Sequence, residues 1–193
     1  MKMYQLIEWF QVNYPEHHNA LLQCNHNFDE KDLNPYHLES DCWSHTMMVC
    51  KLAELYNYDT VVLVAALLHD IGKPSARKVN PRNNHVQFFG HEALSAEMAA
   101  GILNQMIEEK MLKREDKNII LELIIHHGFL YKHSEVKEML EYFDDDKIFC
   151  RQLISLIKCD SLGRFTPDLS DEKKFNDMLQ YLDSVEYNQK TNE

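Results

Sequence analysis

Seven side chains in this sequence combine metal-binding or proton-transfer chemistry with a place inside or at the end of an apolar segment: His45, His69, Asp70, His91, His126, His127 and Asp160. His69 and Asp70 close the run Ala65-Ala66-Leu67-Leu68, and Gly72-Lys73-Pro74 follows at once. Neighbours on a helix point about 100° apart, so two adjacent side chains share a partner only near a helix end. Gly72 and Pro74 supply such an end, and Lys73 leaves a cation beside the pair. Taken singly, each of the others has a plain structural explanation. His45 reads as a hydrogen-bonded core histidine and His91 as a helix cap, while His126-His127 are favoured by the dipole at a helix C-terminus. Asp160, after Leu153-Ile154-Ser155-Leu156-Ile157, needs a partner for its carboxylate. Taken together, the strongly apolar segments in the centre of the chain each carry a metal-competent group, which points to one shared site. Imidazole and carboxylate donors without thiolates suit manganese, iron, nickel, cobalt or zinc bound for hydrolysis, with magnesium also admissible.

The elements that must position these groups are helical. Gly and Pro number only five each in 193 residues, and long periodic runs outweigh alternating ones. Met1 to Val12 places Leu6, Ile7, Trp9 and Phe10 on a helical stripe ended near Pro15, and a short helix includes Ala20-Leu21-Leu22. Asn27 to Glu39 is polar and is expected to cross the surface as a loop. Ser40 or Asp41 caps a helix carrying His45, and Thr60 to Leu68 forms the central helix. Ser75 to Gly90 reads as a long functional or mobile connection. Further helices are expected over His91 to about Leu112, Asp116 to His127, Glu135 to Phe143, Lys147 to Ser161 and Glu172 to Val185, before a polar tail at Asn188 to Glu193.

The chain's formal charge of -11 argues against an extended nucleic-acid docking surface, though not against a small anionic substrate. Five scattered cysteines without a Cys-x-x-Cys pair imply reduced thiols and a cytoplasmic setting. Met1-Lys2-Met3 leads directly into an amphipathic segment, so neither a leader nor a membrane span is expected.

Five words stand in order along the chain: His37-Leu38-Glu39, Trp43-Ser44-His45-Thr46-Met47-Met48-Val49, Ala66-Leu67-Leu68-His69-Asp70-Ile71-Gly72-Lys73-Pro74, Phe89-Gly90-His91-Glu92 and Asp160-Ser161-Leu162-Gly163-Arg164. In that order they resemble the HD-domain metal-dependent phosphohydrolases, and more closely the HD region of bacterial tRNA nucleotidyltransferases, the CCA-adding enzymes. The resemblance implies an all-α, single-domain HD-type bundle over residues 1–193, with its motifs between about 36 and 164. It implies a first divalent metal on His45, His69, Asp70 and Asp160. A second would share Asp70 with His91 and either His126 or His127. Asp70 and Lys73 become the catalytic candidates. Lys73 and Arg164 become phosphate ligands, the one a point charge and the other a planar fork. Arg77, Lys78 and Arg82 would lend the long connection positive charge toward substrate, and His37 would touch either the metal set or the substrate. No nucleotidyltransferase head is recognisable, so CCA addition is not expected. His126-His127 runs into Gly128-Phe129-Leu130, which lacks the Gly-Tyr-Pro signature of cyclic-di-GMP phosphodiesterases.

Two functions follow. One is a phosphohydrolase acting on nucleoside monophosphates or on RNA ends bearing a 2′-, 3′- or 2′,3′-cyclic phosphate. The other is a non-catalytic metal- or nucleotide-binding sensor on the same scaffold.

Overall fold

The computed structural model describes residues 2–28, 37–165 and 167–190, for 186–190 the backbone only. Helices α1 (Met3–Asn13) and α2 (Pro15–Gln23) lead to α3 (Cys42–Leu55), α4 (Thr60–Leu68) and the short α5 (Lys73–Ala76). A two-residue hairpin, β1 (Lys78–Val79) and β2 (Val86–Gln87), separates these from α6 (His91–Glu108) and α7 (Asp116–His126). A 3-10 turn at Phe129–Tyr131, α8 (Val136–Tyr142), α9 (Lys147–Leu162) and α10 (Leu169–Lys190) complete an all-α bundle.

Helix α4 is the axis of this arrangement. Every residue from Val61 to Leu68 is buried, as expected of a helix apolar on all sides. It packs against α3, α7 and α9, with α1 and α6 beyond. Carboxylate caps begin three of the helices: Asp41 accepts from Ser44 N at 2.7 Å, Asp59 from Val62 N at 2.9 Å and Asp146 from Phe149 N at 2.9 Å. The buried apolar cluster runs from Met3 to Leu182, and all five cysteines are free and buried. Among the described residues no helix is long and apolar enough to cross a membrane.

Four expectations change. The connection 75–90 is not without structure, because α5 and the hairpin occupy most of it. Strands of two residues leave too short an alternation to read in a sequence. Helix α6 ends at Glu108 and not near Leu112, with Lys110 at a positive φ of 59°, and α10 is longer than expected at both ends. Of the expected surface loop 27–39, residues 29–36 lie outside the described residues, and Asn27, on its near side, is buried. The two ends of that segment are zipped together. His26 N donates to Ser40 O at 2.7 Å and Cys42 N donates to Cys24 O at 2.9 Å.

Gly72 marks the closest backbone approach near the site. A Cβ there would stand 2.5 Å from Ser95 N and 2.7 Å from His91 O, against backbone that cannot swing aside. Gly72 N also donates to Ser95 Oγ at 2.9 Å. Gly72→Ala is therefore expected to destabilise the protein by about 1–3 kcal/mol through overpacking. Chemical denaturation checks this, and an unchanged midpoint would contradict the tight α5–α6 contact.

Candidate metal centre

The histidines at helix ends are held by one local device. His69 follows the last turn of α4, and its Nδ1 donates to Ala66 O at 2.9 Å. His127 follows α7 in the same way, its Nδ1 donating to Ile124 O at 2.7 Å. At the start of α6, His91 Nδ1 donates to Phe88 O at 2.9 Å. A carbonyl oxygen only accepts, so each Nδ1 carries a proton and each Nε2 is left to face inward.

Two sets of inward atoms result. In the first, Asp160 Oδ1 is 2.9 Å from His45 Nε2 and 3.7 Å from His69 Nε2. Asp70 Oδ2 is 3.2 Å from His69 Nε2 and 3.7 Å from His45 Nε2. In the second, Asp70 Oδ1 lies 3.3 Å from His91 Nε2 and 3.9 Å from His127 Nε2, and those two nitrogens face each other at 3.1 Å. Bonds of about 2.1 Å to a common ion put neighbouring donors about 3.0 Å apart at a right angle and about 3.4 Å apart at a tetrahedral one. Both sets fall near these spacings, and Asp70 turns one oxygen to each.

Electrostatics agree with the geometry. Asp70 and both its oxygens are buried without a well-formed hydrogen bond, as is His69 Nε2. Burial would raise the Asp70 pKa, yet His69 and Lys73 outweigh it and hold the group well below the usual carboxylate range. Asp160 is likewise held low against burial by His45 and His69. Burial would lower the His69 pKa, but Asp70 and Asp160 lift it to about 10, so this corner demands positive charge. His127 is the converse. Burial, with His69 adding to it, brings its pKa down to about 4 and keeps its imidazole neutral. With Nδ1 donating to a carbonyl at both His91 and His127, neutral rings oppose two Nε2 lone pairs at 3.1 Å, which only a cation or an extra proton reconciles.

Lys73 is buried, its Nζ 2.7 Å from Asp70 Oδ2 and 5.4 Å above the Phe88 ring. Burial would lower its pKa, but Asp70 raises it, so the ammonium stays charged. Its strongest partner is Asp70, although it also borders the cleft above the donors.

That cleft, of about 810 Å³, is bordered by Asp160, His91 and His127 below and by Phe89, Tyr131 and Arg164 above. Arg164 Nη2 donates to Tyr131 Oη at 3.3 Å. His37 borders it too, with Nδ1 donating to Glu39 Oε1 at 2.6 Å. A second cleft, of about 760 Å³, lies between α8 and α10. Its Lys137 and Lys173 pair with Glu141 at 3.7 Å and Asp177 at 2.6 Å, and it has no converging donors.

Other candidates are not brought to the donors. His126 borders the cleft, but its Nε2 is 3.3 Å from Glu122 and its ring packs on Tyr142 and Phe143. The chain turns about 100° between adjacent helical residues, so one of the two histidines must face away. Arg77 donates to the carbonyls of Asn25 and Asn27 at 2.9 and 3.2 Å, tying α5 to the segment before α3. Lys78 and Arg82 sit exposed on the hairpin and its turn and do not border the cleft. The sequence gives no sign of Lys132 and Tyr131 on the rim or of Phe88 beneath Lys73, and it assigns no role to Glu39, which stands in one of the five words. A further trio, His26, His37 and Glu39, has metal-like spacing. The Lys73 ammonium lies 3.4 Å from His26 Nε2 and opposes a cation there.

The family profile of the HD domain matches residues 42–161, which takes in His45, His69, Asp70, His91, His127 and Asp160. The chain belongs to the HD domain family. HD domains form a superfamily of metal-dependent phosphohydrolases and bind divalent metals. Among curated proteins the chain is similar to the multifunctional CCA protein of Burkholderia orbicola, 35% identical over 102 residues, which are 52% of this chain and 22% of that protein. The protein of the same name from Nitrosospira multiformis is 30% identical over 102 residues, covering 53% and 23%. That from Methylobacillus flagellatus is 26% identical over 136 residues, covering 67% and 31%. The chain thus spans under a third of the length of these relatives.

Proposed function

We propose that this HD domain hydrolyses phosphoesters of nucleotides or of RNA ends bearing a 2′-, 3′- or 2′,3′-cyclic phosphate. The observation that carries the reading is the convergence of four imidazole Nε2 atoms and two buried carboxylates, of which His91, His127 and Asp160 border one cleft. His45, His69, Asp70 and Asp160 would hold one divalent ion, and Asp70, His91 and His127 a second. Such ions, when bound, supply Lewis acidity to a phosphoryl oxygen and make a water acidic enough to act as nucleophile near neutral pH. The chain's own residues do the rest. Lys73 keeps Asp70 ionised, so its two oxygens remain donors to both sets. Arg164 and Lys132 border the cleft and would take the non-reacting phosphoryl oxygens. Phe89 and Tyr131 are 81% and 74% exposed at that rim and offer faces on which a base stacks. This local collection of cations and rings suits a nucleotide or a strand end, while the acidic remainder of the chain disfavours a long polyanion. The likeness to part of the CCA proteins supports a nucleotide or RNA-end substrate.

The test is turnover of 2′,3′-cyclic nucleotides and of 2′-, 3′- and 5′-nucleotides by metal-stripped protein resupplied with manganese, cobalt, nickel, zinc, iron or magnesium. Metal binding without turnover on any of these would leave the sensor reading in its place. Lys132→Ala is expected to raise KM several-fold while leaving metal content and kcat close to the wild type, since the residue meets the substrate only at the rim. A fall in kcat at constant KM would contradict that placement.

A further inference from the structure

His45 differs from the other three inward histidines in how its ring is held. His69, His91 and His127 each have Nδ1 on a backbone carbonyl three residues earlier, at 2.7–2.9 Å. His45 lies in the first turns of α3, where the corresponding carbonyls are already used. Asp41 O accepts from His45 N at 3.3 Å, and Cys42 O accepts from Thr46 Oγ1 at 2.8 Å. Its Nδ1 is therefore buried without a well-aligned bond, and an acceptor within reach is Glu39 Oε1 at 3.3 Å. The Glu39 side chain is 2% exposed, so its carboxylate needs partners within the protein. The same oxygen accepts from His37 Nδ1 at 2.6 Å, while Oε2 accepts from Phe165 N at 3.3 Å, just past the end of the helix that carries Asp160. The segment that delivers Glu39 is fixed by the zipper of His26 N to Ser40 O and Cys42 N to Cys24 O, at 2.7 and 2.9 Å.

From these contacts we infer that Glu39 is the positioning residue of the metal centre: it accepts a hydrogen bond from the His45 Nδ1–H, which leaves Nε2 bare and aimed at the site shared with Asp160, and it locks His37 to the cleft wall beside it. The inference rests on the metal reading of the donor cluster. An acceptor on the far nitrogen of a metal-binding imidazole fixes its tautomer and orientation and raises its basicity, and losing such a partner typically weakens metal affinity by about 10–100-fold. The hydrogen bond tightens when Nε2 meets a cation, because the Nδ1 proton then becomes more acidic.

Two isosteric variants isolate the acceptor from the volume. Glu39→Met fills the space with only a weak thioether acceptor, and Glu39→Gln fills it with a carbonyl oxygen that can accept from the His45 Nδ1–H. Calorimetric titration of the metal-stripped proteins with manganese(II) is expected to give an affinity about 10–100-fold below wild type for Met and within about fivefold for Gln. In the zinc-loaded proteins, imidazole nitrogen NMR is expected to show His45 protonated at Nδ1 in the wild type and the Gln variant. Equal manganese affinities for Met and wild type, or equal losses in Met and Gln, would overturn the role of Glu39. Wild-type protein that binds neither ion would overturn the metal reading itself, and so marks a different failure.

Discussion

Asp70→Asn is expected to abolish binding of both divalent ions and to cut phosphoester hydrolysis by more than about 100-fold, beyond what losing an outer hydrogen-bond partner costs. The reason is that, among the described residues, Asp70 alone serves both donor sets. Oδ2 lies 3.2 Å from His69 Nε2, and Oδ1 lies 3.3 Å from His91 Nε2. An amide of the same shape offers one weak oxygen donor and turns an amino group on the other set. Stability should fall as well. The Lys73 ammonium, 2.7 Å from Oδ2 and buried, loses its main counter-charge, and breaking such a pair by removing one partner costs up to about 3–5 kcal/mol. The two losses separate in the double variant Asp70→Asn with Lys73→Met. Without the stranded cation it should recover much of the stability of the metal-free protein, yet still bind no metal. Metal analysis beside denaturant unfolding of the two variants makes the comparison. Retained metal in the single variant would remove Asp70 from the centre, and an unrecovered midpoint in the double one would deny the Lys73–Asp70 coupling.

How far the site could be read from the sequence depended on the kind of signal each residue left. His69 and Asp160 stand out because they end runs that are buried on every side, as α4 is from Val61 to Leu68, and His45 because it lies on the buried face of α3. A polar group in such a place has to find a partner, and helical periodicity locates it. His126 and His127 could not be separated, since the choice depends on the phase at which α7 ends and the helix could end at either. Glu39 left no signal of that kind. It lies outside any helix, and its neighbours Leu38 and Ser40 set no period, so only the three-dimensional zipper brings it to His45. The basic residues 77, 78 and 82 form one group in the sequence because they share a charge. The hairpin divides them, with Arg77 turned to backbone carbonyls and the other two to solvent.

The adjacent histidines offer the sharpest contrast available in this molecule. His127 Nε2 faces His91 Nε2 at 3.1 Å and Asp70 Oδ1 at 3.9 Å, its Nδ1 is tied to Ile124 O, and it is buried. His126 instead leans on Glu122 and the rings of Tyr142 and Phe143. His127→Ala is accordingly expected to take away the second ion, lowering metal content from two per chain to one, and to depress kcat by about 10–100-fold or more. His91→Ala should do the same, because the two imidazoles and one carboxylate oxygen form a single set. His126→Ala should keep both ions and change kcat by less than about twofold, since its ring contacts are replaceable packing at the cleft edge. Metal content by elemental analysis, with helicity followed by circular dichroism, decides among these outcomes. If His127→Ala and His91→Ala retain the wild-type metal content but lose turnover, the second set binds substrate or moves a proton, and the centre holds one ion on His45, His69, Asp70 and Asp160. If His126→Ala loses metal while His127→Ala does not, the end of α7 is rotated by one residue from the arrangement described, and the pairing of His127 with His91 falls with it.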